Sequence, residues 1–244
     1  MTRTALVTGA GQNIGRAIAV ALAEDGFNVV INGLTNREAA EETARLVESK
    51  GRQALVAIGD TGVREECNAM ASMAAETFGR VDVLVHNAAI RPSAPFLEMD
   101  ETEWERVLNV NLMGSFWLAR ACLPAMVEAG WGRIILFAGM NAIHGYNGRA
   151  HVSVSKHGNW GLAKSLGKEF GPAGITTNLI SPGPIASEHA DPSMTAHIKS
   201  QTGRIPVGRL GLPEEVAGAV SLLASDRGAF INGQIIQVNG GAET

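Results

Sequence analysis

The chain is poor in the residue types that mark several protein classes: its 244 residues include 2 cysteines, 1 tyrosine and no excess of positive charge. Cys67 and Cys122 fall in separate predicted helices without metal-ligand spacing, which excludes a disulfide scaffold or a zinc module. Buried thiols in a reducing compartment are expected instead. The 20 basic residues are outnumbered by 24 acidic ones, and the net charge of −4 offers no electrostatic footprint for nucleic acid. No apolar run is read as reaching the roughly 18 residues that a membrane span requires. Met1 is followed almost at once by a core strand, with no signal-peptide region, so a cytoplasmic location is expected.

Apolar side chains make up 45% of the residues, enough for a large core. Short β-rich runs recur at 4–8, 28–32, 54–58, 81–86, 133–138, 176–181 and 234–239. Between them, segments 14–25, 36–50, 64–78, 102–129, 151–170 and 213–225 carry Ala, Leu, Val and Met at helical spacing. Near-continuous apolar strands, alternating with helices, predict an α/β fold: a doubly wound parallel sheet of seven strands covered by helices on both faces. No linker, repeat or low-complexity tract interrupts the pattern, so residues 1–244 read as one domain.

The turn after the first strand reads TGAGQNIG, Thr8 to Gly15. Gly9 suits a tight turn, and Gly15 suits close packing of helix on strand. The helix that follows offers unpaired amides and a positive dipole end to a pyrophosphate. Gln12, Asn13 and Ile14 complete this turn, with Asn13 standing where a glycine is usual; Asn tolerates positive φ better than most residues.

Together with Asp60 after the third strand, VHNAA at 85–89, NVN at 109–111, SPGPIAS at 181–187 and the ending FINGQIIQVNGG, this turn resembles the short-chain dehydrogenase/reductase family. The likeness spans essentially the whole chain. It implies a Rossmann fold, a nicotinamide cofactor, a small-molecule carbonyl or alcohol substrate, and assembly as a homotetramer or homodimer. In that reading Asp60 contacts the adenine, Asn87 and Ala88 border the cofactor, and Pro182, Gly183, Ile185 and Ser187 form its nicotinamide-side turn. Members that prefer NAD carry an acidic residue where this chain has Gly33. Without that carboxylate, and with Arg37 nearby to hold a 2′-phosphate, NADP is the expected cofactor, with NAD possible.

The family's chemistry uses an Asn, a Ser, a Tyr and a Lys. Asn111 and Lys156 match the first and last. Four residues before Lys156, where the resemblance puts the Tyr, stands Val152, and the Ser position falls on Gly139. Neither residue can donate or accept a side-chain proton. A positioned acid or base is worth roughly 10²- to 10⁴-fold in rate. His144 is the expected reserve acid, because histidine changes charge near neutral pH and a loop can re-aim it. Tyr146 reads as a loop anchor, and His151 is turned about 100° from the Val152 direction on a helix. Asn141 is a candidate polar ligand contact, and 188–207 reads as the substrate lid, with His189 and His197 solvated. Two functions stay open: an oxidoreductase with altered proton transfer, or a catalytically inactive cofactor-binding pseudoenzyme acting as a sensor or partner subunit.

Overall fold

The computed structural model describes residues 2–139, 144–187 and 202–243. Asn141, His189, His197 and most of the expected lid lie outside the described residues. Seven strands form one parallel sheet: β1 (Thr4–Val7), β2 (Asn28–Gly33), β3 (Ala54–Ile58), β4 (Val83–His86), β5 (Gly132–Phe137), β6 (Ile175–Pro182) and β7 (Ile235–Val238). Their spatial order is β3-β2-β1-β4-β5-β6-β7, so the winding reverses between β1 and β4. Every residue of β1, β4 and β5 is buried, as strands covered on both faces require.

Side chains alternate across the sheet with period two and sort into two cores. Val7, Ile31, Val85 and Ile135 face α1 (Asn13–Glu24) and the last helix, where Ile18, Leu22 and Val220 meet them. Leu6, Val30, Leu84 and Ile134 face the opposite layer, packing with Met70, Leu118 and Met126. The remaining helices are α2 (Arg37–Ser49), α3 (Arg64–Phe78), α4 (Glu101–Leu108), α5 (Gly114–Ala129), α6 (Ala150–Phe170) and α7 (Pro213–Ala224). Each large aliphatic side chain removed from water contributes about 1.5–3 kcal/mol, which makes these two cores the main stabilising force. Cys67 and Cys122 are free and buried, with burial pushing both thiols up to about 12.

The helix expected over 102–129 is a composite. Asp100 caps α4 by accepting from the amides of Thr102 and Glu103. A π-helical turn, Asn109–Met113, then separates α4 from α5. The wider turn releases backbone carbonyls from the ladder, and side chains take them: His86 Nε2 bonds the Val110 carbonyl at 3.1 Å, and Asn159 Nδ2 donates to the Asn111 carbonyl at 2.8 Å. Apolar spacing does not reveal such a turn, because one extra residue shifts the helical phase by only a fraction of a turn. The same run corrects the reading of apolar length: Glu101–Ala129 is long and apolar enough to cross a membrane by composition. Half of its most apolar window is buried within the fold, where Leu118, Cys122 and Met126 form core, so its apolarity serves packing against the sheet.

Thr8, just past β1, ties the first turn to the end of β4. Its Oγ1 accepts from the amides of Asn87 (3.1 Å) and Ala88 (3.0 Å) and therefore donates to His86 Nδ1 at 3.0 Å. That leaves His86 Nε2 as the donor to Val110, a neutral imidazole. Burial, then the charge of Lys156, pushes the His86 pKa down to about 4. Because the unfolded histidine binds a proton that the folded one refuses, stability falls as pH drops from about 6.5 toward about 4. Replacing Thr8 with Val strands two partly buried amides, and urea unfolding should show a loss of about 1–3 kcal/mol. A loss below about 0.5 kcal/mol would mean that the network carries little of the stability.

Candidate active site

A cleft of about 420 Å³ opens at the carboxyl ends of β1, β4, β5 and β6, beside the point where strand order reverses. One wall is the first turn, with Gly9, Gln12, Asn13, Ile14 and Gly15 all lining the cleft. Asn13 adopts a φ of 49°, the left-handed conformation expected of it. Ser187 Oγ reaches across to Asn13 Oδ1 at 3.2 Å, so the turns after β1 and β6 meet over the cleft. Gly15 is held so close to the strand that a Cβ there would lie 2.0 Å from the Gly9 carbonyl oxygen. Asn32, at the end of β2, braces the turn from below: its Oδ1 accepts from the Gly9 amide at 3.3 Å, and its Nδ2 donates to the carbonyls of Gly33, Ala57 and Gly59.

A dinucleotide fits this wall on an observation of the structure itself. Gln12, immediately before α1, provides no side-chain cap, so the helix start presents its amides to the cleft. Asn87, Ala88, Pro182, Gly183, Ile185 and Ser187 also line the cleft, as the resemblance implies. Arg37 and Asp60 do not. Arg37 is exposed at the start of α2 and pairs with Glu41 at 3.8 Å. The Asp60 carboxylate is taken up by Arg106, at 3.1 and 2.7 Å, and by the Gly62 amide at 2.7 Å. That side chain therefore braces β3 against α4 in this structure.

Lys156 lines the cleft from α6, and its Nζ donates to the Phe137 carbonyl at 2.8 Å. Burial first, then repulsion from Arg91, pushes its pKa down to about 7. Between about pH 7 and 10.5 the unfolded lysine holds a proton that the folded one has lost, so stability rises with pH across that window. Unfolding measured from pH 7 to 10 should show this rise, up to about 1.4 kcal/mol per unit, and Lys156→Met should remove it.

Asn111 is fully buried and outside the lining. It clamps Ile90 through both backbone groups, accepting from its amide and donating to its carbonyl, each at 2.9 Å, and donates to Ser155 Oγ at 3.3 Å. Asn111 thus holds in place the chain that leaves β4 for the cleft. Gly139 lines the cleft with a φ of 138°, while Val152 is 1% exposed and does not reach it. His151 is fully buried, stacked on Trp104 with ring centroids 6.3 Å apart. Its side chain is packed away, as the helical offset predicts.

His144 is not brought to the cleft. Its Nε2 meets the Glu243 carboxylate and its side chain is half exposed, so the expected reserve acid is engaged at the surface, outside the cleft lining. Tyr146, expected as a packed anchor, is 54% exposed, with the Arg149 guanidinium 5.0 Å from its ring centre. Sequence reasoning missed Arg91, Phe137 and Ala138 as lining residues. Arg91 carried a signal: it follows Asn87 in the loop beyond β4, and loops at carboxyl ends of parallel strands build the sites of such folds.

Comparison with known proteins agrees with the fold. A family profile described as enoyl-(acyl carrier protein) reductase matches residues 9–243. Nodulation protein G of Azospirillum brasilense is 38% identical over 239 residues, covering 98% of this chain and 97% of that protein. The 3-oxoacyl-[acyl-carrier-protein] reductase FabG of Staphylococcus aureus strain Mu50 is 37% identical over 242 residues, covering 99% and 98%. A crystal structure assigned as a short-chain alcohol dehydrogenase from Sinorhizobium meliloti 1021 superimposes with a TM-score of 0.93 at 33% identity, covering 98% of this chain and 96% of that one. With the profile spanning nearly the whole length and the cofactor-side turns in place, the chain belongs to the short-chain dehydrogenase/reductase family, the NAD(P)-dependent oxidoreductases of this fold.

Proposed function

We propose that this protein binds NADP(H) in the cleft and interconverts a small carbonyl compound and its alcohol, with proton transfer altered from the family's usual route. The observation that supports this reading is a cleft lined by the first turn and by Lys156, with Gly139 and Val152 at the places where the family resemblance puts the Ser and Tyr. The first turn and the α1 amides hold the diphosphate, Lys156 the nicotinamide ribose, and Ser187 borders the nicotinamide. A bound nicotinamide cofactor supplies or accepts the hydride. Lys156, with its pKa drawn down to about 7, exchanges a proton with the cleft at neutral pH. Gly139 offers no side-chain hydroxyl to a carbonyl oxygen, so polarisation of the substrate is weak and turnover is slow.

The absence of a carboxylate at Gly33 favours NADP over NAD. Cytoplasmic location and assembly as a homotetramer or homodimer belong to the same reading. An apolar groove between α5 and α6, lined by Phe116, Leu123, Val127, Leu162, Leu166 and Phe170, supports assembly through these helices. Residues 188–207 are assigned as the lid of the single domain. Titrating NADPH and NADH by fluorescence, then following absorbance of the nicotinamide across aldehydes, ketones and alcohols, tests the proposal. NADPH is expected to bind in the micromolar range, with slow oxidation by at least one carbonyl compound. Tight binding with no oxidation by any compound would favour the pseudoenzyme, for which the withdrawal of Val152 from the cleft is the supporting observation.

A further inference from the structure

The cleft concentrates positive charge on a chain that is negative overall. Arg91 and Lys156 line it together, and no Asp or Glu is among its described lining residues, although the chain carries 24 acidic residues. Elsewhere arginines find counter-charges: Arg37, Arg80, Arg106 and Arg209 each pair with a carboxylate at 2.6 to 3.8 Å. Among the described residues nothing accepts from the Arg91 guanidinium. A third cation stands behind it. Arg149 precedes α6, and its Nε is buried without a hydrogen-bond partner among the described residues. The two arginine-bearing segments are fastened together, the Ala94 amide donating to the Gly148 carbonyl at 2.9 Å. Arg91 lines the cleft as an exposed residue. Even so, desolvation and then Arg149 draw its pKa below the usual arginine range.

Like charges held together without a counter-ion repel one another, and partial burial strengthens that repulsion. A fold that keeps such a cluster open to a cleft gains from an anion placed there. A guanidinium matches a planar carboxylate with two parallel hydrogen bonds, which a lysine alone cannot offer. The cofactor's own diphosphate belongs at the uncapped start of α1, on the first-turn wall, whereas Arg91 follows β4 and lies close enough to Lys156 for their charges to repel. We propose that Arg91, supported by Lys156 and Arg149, holds the carboxylate of a small oxo or hydroxy acid in this cleft. The proposal rests on the reading that the cleft admits substrate beside NADP(H). It makes the substrate an organic acid whose charge substitutes, in binding, for the hydrogen bonds that Gly139 and Val152 cannot make.

Isothermal calorimetry on the NADP⁺-saturated protein tests this, with the sodium salts of pyruvate and acetoacetate against their methyl esters and against inorganic phosphate. At least one acid should bind about tenfold or more tighter than its ester. In two buffers of different ionisation enthalpy at pH 8, acid binding should take up protons, because an anion beside Lys156 raises its depressed pKa. Arg91→Gln should remove about tenfold or more of the acid affinity while changing that of the ester little. Equal binding of acid and ester, no binding of either acid, or tighter binding of phosphate than of both acids overturns the proposal. So does an Arg91→Gln protein that loses NADP⁺ affinity in step with the acid, since Arg91 would then be a cofactor contact. If the unaltered protein binds no NADP⁺, the cofactor reading fails by itself, and the acid–ester comparison on the protein alone still decides the carboxylate site.

Discussion

A tyrosine introduced at Val152 raises the rate of NADPH-dependent carbonyl reduction by about 10²- to 10⁴-fold, the usual contribution of a positioned acid. Position 152 lies one turn before Lys156 on α6, so side chains at the two positions share a helix face. The lysine charge stabilises a nearby phenolate and draws the phenol toward a useful pKa. The cost is steric: Val152 is buried, and the larger ring must move its neighbours, at about 1–3 kcal/mol of stability. Val152→Phe supplies the same bulk without the hydroxyl and should give no gain. Gly139→Ser is a weaker partner. Among the described residues nothing lies near a Cβ built there, but a φ of 138° is a glycine conformation, and serine either strains the backbone by about 1–3 kcal/mol or moves the loop. The double variant should therefore exceed Val152→Tyr only modestly. Steady-state absorbance with a fixed ketone panel reads all four proteins. A folded, NADPH-binding Val152→Tyr protein no faster than the Phe control would show that the missing phenol is not what limits the reaction.

Gly15→Ala is expected to abolish measurable cofactor binding and to lower stability by more than about 3 kcal/mol. Its Cβ would sit 2.0 Å from the Gly9 carbonyl oxygen and 2.8 Å from the Ala10 Cα, and both are backbone. No rotamer relieves that contact, so α1 must lift from β1, and the amide cradle moves with it. For a chain of this size the loss corresponds to a fall in Tm of about 6–12 °C or more. Gly161→Ala is the natural control. It lies within α6 with nothing near its Cβ, and there the same added methyl should be neutral or stabilising by up to about 1 kcal/mol. Thermal melts with and without NADPH separate the two effects. A Gly15→Ala protein that melts normally and binds NADPH within about threefold of the parent would contradict the packing seen in the structure.

The fold was legible because its signals are redundant. All seven strands contain apolar residues, and both cores follow from period-two alternation along them. The first turn was legible for a local reason: Gly9, Asn13 and Gly15 must each meet a backbone requirement that few residues satisfy. What escaped depends on contacts between residues far apart in the chain. Asn32 looks like a strand end, yet it braces three segments at once. Asp60 reads as a ligand contact until Arg106, 46 residues later, is seen to occupy its carboxylate. His144 was chosen for its chemistry, and only the fold reveals its partner near the chain end, Glu243. Arg91 went unnoticed because a lone arginine acquires meaning only from the lysine and arginine placed near it.

The π turn at Asn109–Met113 makes the 29-residue run Glu101–Ala129 a length gauge. A regular helix would need one residue fewer to join α4 to α5, and the wide turn is where the surplus residue is held. Removing any one position between 109 and 113 would restore an even pitch and erase the wide turn itself. Asn111 would swing off Ile90, and the carbonyls that His86 and Asn159 now hold would return to the helix. Much of this segment can therefore vary in residue type, whereas its count cannot change, and relatives that conserve this site should align across it without a gap.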